Sequence, residues 1–207
     1  MLKKIATACG RSDEAPNIEL AQELCAAENE LGIQEIAAGL RHKDAKIAGD
    51  CIKVLYEIGE RKPRLIAKYC LDFIELLSSK NNRLVWGAMT ALAHIAHLEG
   101  ERIYRHVEVI LSACKHGSVI TTDNGVTVLA KLCNGNAVYS EHIFPELLEH
   151  LRTCRPKEVA QHAERIAVCV DGVKAAAYLE VLDKRKEHLT NAQTARINRL
   201  EKRLLNK

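Results

Sequence analysis

Polar and apolar positions alternate along this chain with a helical period, and the same pattern returns at a fixed distance. In residues 81–97, NNRLVWGAMTALAHIAH, apolar side chains fall at Leu84, Ala88, Ala91, Leu92 and Ile95. Their i, i+4, i+7, i+8, i+11 spacing is one face of a helix. Stepping back 37 residues gives Ile47, Cys51, Val54, Leu55 and Ile58; stepping forward 37 gives Thr121, Gly125, Val128, Leu129 and Leu132. A further 38 gives Val159, Ala163, Ile166, Ala167 and Val170. Each set has a small residue second (Cys51, Ala88, Gly125, Ala163), and Thr121 is the one polar intruder.

A second family of helices keeps the same period between the first. Ile66, Cys70, Phe73, Ile74 and Leu77 map by 37 onto Ile103, Val107, Ile110, Leu111 and Cys114, and by another 37 onto Ser140, Phe144, Leu147, Leu148 and Leu151. A helix pair of this length cannot bury its apolar face alone, so successive pairs must stack on a continuous core. The pattern resembles HEAT repeats across residues 44–171, with looser ends. The family's usual Arg after the first aliphatic is replaced by Ala48, Val85, Thr122 and Ala160, and its Pro at the start of the second helix appears only as Pro145. The resemblance implies an all-α, right-handed solenoid of about five hairpins plus a capping helix, with the second helices lining a concave surface. It implies no particular function.

Read in order, the spacing predicts one array over 1–207, with units at 10–42, 43–79, 80–117, 118–155 and 156–189 and a capping helix at 190–206. The first dozen residues read as a frayed helix or tail. A helix over 18–31 follows, with Asn17 as its cap and Gly32 closing it, and a partner helix spans 33–40. Pro63 fits the first turn of a second helix. Gly100 falls in a connection, Thr122 or Asp123 caps the first helix of the fourth unit, and Asn134–Asn136 reads as a turn. Thr190 caps the last helix, whose Ile197, Leu200 and Leu204 form one apolar stripe.

Composition narrows the possibilities. The chain has 47% hydrophobic residues, four prolines and few aromatics, as an all-α chain should. No apolar run approaches the roughly 18 residues of a membrane span, and MLKKIATACG lacks a signal-peptide core. The expectation is therefore a soluble, cytoplasmic protein. Three of the eight cysteines, Cys51, Cys70 and Cys114, take inward repeat positions, and no CxxC pair occurs. They read as reduced structural thiols.

Function must then come from surfaces. Lys68, Arg105 and His142 stand 37 apart, opposite the core stripe, as one column across second helices; Asp72, Val109 and Glu146, then Glu75, Ser112 and Glu149, form the next two. A basic row beside an acidic one suits a mixed-charge peptide or helix from a protein partner, and also an ordinary solvated face. Trp86 lies opposite Ala88, Leu92 and Ile95, either in an exposed patch with Thr90, Ala93 and His97 or against a neighbouring helix. From Lys184 onward eight basic residues meet two acidic ones, a net +6 in a chain of +3. Arg196, Arg199, Lys202 and Arg203 therefore form a basic patch that suits nucleic acid as the alternative partner, or simply a soluble cap.

Enzyme chemistry finds no foothold. There is no P-loop and no GxGxxG. The His-Glu dipeptides of HEAT-fold di-iron hydroxylases are absent, with only Glu141-His142, Glu149-His150 and Glu187-His188 in reverse order. His94 and His97 share a helix face near Cys114 and His116, without an accompanying carboxylate set. Cys133 and Cys154 fall near helix ends, where no spacing sets a histidine against either. The sequence thus predicts a non-enzymatic scaffold with no cofactor, no metal site and no catalytic residue.

Overall fold

Several helices of this chain begin where a short polar side chain takes up free backbone donors. Asp44 accepts from the Lys46 N–H at 2.8 Å, Asn81 from Arg83 at 3.0 Å, Asn136 from Val138 at 2.8 Å and Asp171 from Lys174 at 3.0 Å. A computed structural model describes residues 1–205. Among them are twelve α-helices and no strand. In chain order they are α1 (Ala15–Ala27), α2 (Glu30–Ala38), α3 (Ala45–Arg61), α4 (Cys70–Leu76), α5 (Asn82–Ile95), α6 (Gly100–Tyr104), α7 (Val107–His116), α8 (Val119–Gly135), α9 (Ala137–Thr153), α10 (Pro156–Ile166), α11 (Gly172–Arg185) and α12 (Asn191–Leu205). Lys207, counted in the basic segment, and residue 206, the expected end of the capping helix, lie outside the described residues.

The repeat positions are the core. Of the inward residues predicted above, all are buried except Ile47, Leu111 and Cys114, which are half-buried. Thr121, the polar intruder, is fully buried, and its hydroxyl shares a hydrogen bond with Ser118 at 3.0 Å. Burial of each large aliphatic contributes roughly 1.5–3 kcal/mol, so the 37-residue period stabilises as well as patterns the chain.

The helices divide into two compact units, Met1–Gly125 and Val126 onward. In the first, α3 packs against α1, α2 and α5, and α4 packs against α5 and α6. Ile52 of α3 fits against Gly87 of α5, where an added Cβ would stand 2.7 Å from Ile52 Cγ1. Gly125, a small position of the repeat, is likewise a place of close approach, since an added Cβ would run into the Cys114 sulfur. In the second unit α10 packs against α9, α11 and α12. The fully buried Tyr178 donates its hydroxyl to the Ala163 carbonyl at 2.6 Å, and Ile197 and Leu200 of α12 are buried. The Thr190 hydroxyl accepts from the Gln193 N–H while Gln193 Oε1 accepts from the Thr190 N–H at 2.9 Å, a reciprocal cap for α12.

Local expectations fail where tertiary partners outweigh propensity. The N-terminal residues are not a tail: Ile5 and Ala6 are buried, and Lys4 pairs with Glu23 at 2.7 Å. Asn17 is no cap but lies inside α1, buried. Gly32 sits inside α2, and the left-handed turn that closes α1 is made by Glu28 at φ 46°. Thr122 and Asp123 lie inside α8; Ser118, one residue before it, accepts from the Thr121 N–H at 3.3 Å. Asn134 and Gly135 still belong to α8, so the turn shrinks to Asn136. Gly100 starts α6, and Pro145 lies inside α9. Pro63 opens a 3-10 turn, Pro63–Leu65.

Candidate functional site

The second helices of the first unit are broken, and the breaks carry the two cations of the predicted basic column. Lys68 stands in a 3-10 turn, Ala67–Tyr69, just before α4. Arg105 stands between α6 and α7, at the C-cap of α6. From each, residues follow at the same spacing: Asp72 and Glu75 on α4 and Ser79 beyond its end after Lys68, and Val109, Ser112 and His116 on α7 after Arg105.

Both rows end at one cleft of about 530 Å³, whose lining includes Ser79, Lys80, Glu108, Val109, Ser112 and His116. Its wall mixes both charges with apolar Leu77, Val85 and Val109. Leu71, on α4 beside Asp72, is 52% exposed, and Leu31 on α2 is 80% exposed.

Neighbours that sequence spacing did not reveal already satisfy the charges here. Lys68 donates to Glu30 at 2.8 Å, which holds the Glu30 carboxyl below the usual range. Arg41 reaches Asp72 at 2.7 Å with one nitrogen and Glu75 at 2.8 Å with the other. Arg105 pairs with Glu101. These pairs are exposed to solvent, which screens them, so they cost little to exchange for a partner's charges.

The remaining site residues fall elsewhere. His142, Glu146 and Glu149 are exposed on α9 in the second unit, Glu149 pairing with Arg152 at 3.3 Å. Trp86 is half-buried, its ring tilted 52° against Tyr56 with centroids 5.7 Å apart. Of its expected companions Ala93 is buried and His97 exposed, so the helix-packing alternative accounts for the ring better than an open patch. On α12, Arg196 forks onto Glu164 at 3.0 and 2.6 Å. Arg199, Lys202 and Arg203 are exposed.

The cysteines divide by environment. Burial pushes Cys51, Cys70 and Cys114 up to about 12, as inert packing thiols should be. Cys133, expected near the surface, is buried; hydrogen bonding from Cys169 pulls its acidity one way and pushes Cys169 the other, and Ser140 lies 3.2 Å from its sulfur. Cys154 departs furthest from expectation, because His150 and His162 both stand beside it. The i, i+4 spacing of His150 and Cys154 was in the sequence; only the turn from α9 into α10 adds His162.

No protein-family model matches this sequence, and no curated protein does either. Among solved structures it is similar to a designed armadillo-repeat protein in complex with the peptide (KR)4 (TM-score 0.64, 15% identity, 90% of each chain). It is similar to a computationally designed armadillo-repeat protein for modular peptide recognition (TM-score 0.63, 15% identity, 90% of each chain). An engineered protein also aligns with 99% of this chain and 96% of its own (TM-score 0.63, 18% identity). The chain therefore has an armadillo/HEAT-like helical-repeat fold, an all-α solenoid. No helix among the described residues is long and apolar enough to cross a membrane.

Proposed function

We propose that the protein is a non-enzymatic interaction module, and that a peptide or helix of a protein partner docks on the second-helix face of the first unit. The observation that carries this reading is the cleft into which the Lys68–Ser79 and Arg105–His116 rows both run. Apolar Val109 and Val85 offer a pocket for one side chain, and Lys68, Arg105, Asp72 and Glu75 give the flanking charges that fix its register. One structurally similar protein is described in complex with the wholly basic peptide (KR)4 and another as designed for peptide recognition, which supports a peptide partner here. The test is the pair of charge reversals Lys68→Glu and Arg105→Glu together with Val109→Arg, which fills the cleft. Partner binding should weaken in both variants while the circular dichroism stays helical. Undiminished binding in both moves the site to Trp86.

A second reading rests on α12, where Arg199, Lys202 and Arg203 are exposed cations. It makes this helix a nucleic-acid contact whose affinity falls steeply with salt. Arg196 contributes little to it, being paired with Glu164. Neutralising Arg199, Lys202 and Arg203 should abolish binding to labelled duplex or single strand at physiological salt; if wild type does not bind there, this reading is wrong.

A further inference from the structure

α9 ends at Cys154, which leaves the helix with extended backbone (φ −63°, ψ 160°), and Pro156 immediately opens α10. This tight reversal brings the last turn of α9 against the middle of α10. His150 and Cys154 lie one turn apart on α9, and His162 faces them from α10. Among the described residues this is the one group of three or more potential metal ligands, with the imidazole nitrogens and the thiol sulfur all within 4.8 Å of one another. His150 Nε2 and His162 Nδ1 are 2.8 Å apart, and the two rings tilt at 45° with centroids 4.8 Å apart. His162 is fully buried; His150 and Cys154 are half-buried, so the cluster has an inner wall and an open side.

We propose that His150, Cys154 and His162 form a zinc(II) site, with water as the fourth ligand. Tetrahedral zinc, with bonds of about 2.0–2.1 Å to nitrogen and 2.3 Å to sulfur, needs its ligand atoms roughly 3.4–3.6 Å apart. For zinc to bind, the two imidazoles open by about 0.6 Å and the widest pair closes by about 1 Å. One thiolate and two imidazoles make a borderline-soft set that favours zinc and its neighbours over magnesium or calcium.

In the metal-free cluster one imidazole donates its N–H to the other. On binding, that proton must leave the facing nitrogen for solvent so that both facing nitrogens offer lone pairs. The thiol gives one proton to water and binds as thiolate. Burial pushes the Cys154 thiol up to about 11, with the Arg185 cation opposing it, so the metal must compete with that proton. Arg185 itself donates to the Cys154 carbonyl at 2.6 Å and so steadies the turn. Glu158, one turn before His162 on α10, adds a negative charge nearby, though Arg155 already binds it.

The experiment titrates cobalt(II), as a spectroscopic stand-in for zinc, into the reduced, tag-free, full-length protein. The expected result is about one cobalt per chain, with a thiolate-to-cobalt charge-transfer band and the intense visible bands of tetrahedral geometry, all displaced by zinc. Cys154→Ser should abolish the charge-transfer band, and Cys133→Ser should leave it intact. His150→Gln, at the open side, should weaken binding by more than the roughly tenfold to hundredfold lost when an outer partner of a ligand is removed. If Cys154→Ser fails to fold, His150→Gln alone decides. No band in wild type, a band that survives Cys154→Ser, or unchanged affinity in His150→Gln overturns the proposal.

Discussion

The Asn17 side-chain amide donates to Asp50 Oδ1 at 3.0 Å, and both residues are buried. Each also holds the N-terminal segment. Asn17 Oδ1 accepts the Ala6 N–H at 2.9 Å, and Asp50 Oδ2 accepts the Thr7 N–H at 2.8 Å. One polar pair thus ties the leading residues to both α1 and α3. Asn17→Ala would leave the Ala6 N–H without its acceptor and Asp50 with one donor fewer, at a cost of about 1–3 kcal/mol. The urea midpoint should fall accordingly, and proteolysis should begin within the first dozen residues. An unchanged midpoint would mean that the N-terminal segment adds nothing to stability.

Close helix approach makes a second prediction. Gly87→Ala gains helix propensity but drives a methyl into Ile52, whose β-branched side chain cannot swing away. Overpacking of this kind costs about 1–3 kcal/mol. In the double variant Gly87→Ala/Ile52→Ala, which removes both Cγ atoms that the methyl meets, the combined loss should be less than the sum of the two single losses, a coupling that a double-mutant cycle in denaturant measures directly.

Acid sensitivity follows from Glu57. Burial alone would raise its carboxyl, but Lys53 at 2.8 Å and Arg61 at 2.6 Å hold it below its ordinary 4.5. A carboxyl depressed in the folded state adds stability that is present above 4.5 and fades as pH falls toward its folded value. Glu57→Gln should therefore be less stable than wild type at neutral pH, with the gap narrowing below 4.5. A gap independent of pH would show that the pair contributes through packing alone.

These three sites show what a single sequence can and cannot reveal. The 37-residue period gave the fold because burial at Leu84, Ala88, Leu92 and their counterparts obeys one local rule, helix periodicity. Caps at Asp44, Asn81, Asn136 and Asp171 are equally local. The role of Asn17 was hidden because its partner Asp50 lies 33 residues away, and the same residue type before a helix reads as a cap. The proposed docking face was half legible: helical spacing pointed to Lys68, Asp72, Glu75 and Arg105 but not to Glu30 or Arg41, which reach them from other elements. His162 joined Cys154 only through the reversal at Pro156. Where function needs a pair brought together by a turn, periodicity is silent.

The C-terminal helix offers a further check. Ile197 is fully buried, and Arg196 grips Glu164 of α10 beside it. Ile197→Ala should cost about 2–5 kcal/mol. Arg196→Ala, removing a half-exposed pair, should cost no more than about 1 kcal/mol. Thermal melts of the two variants would rank them; equal effects would mean that α12 is held by charge rather than by its apolar stripe.

The most direct measurement is peptide selection on the protein itself. A random-peptide display library would be panned against wild type, and the recovered peptides titrated against wild type and the Lys68→Glu/Arg105→Glu variant. The account predicts mixed-charge peptides that bind wild type saturably and lose roughly tenfold or more on the variant. Peptides that bind both proteins equally, or a library that yields none, would contradict a docking face on the second helices.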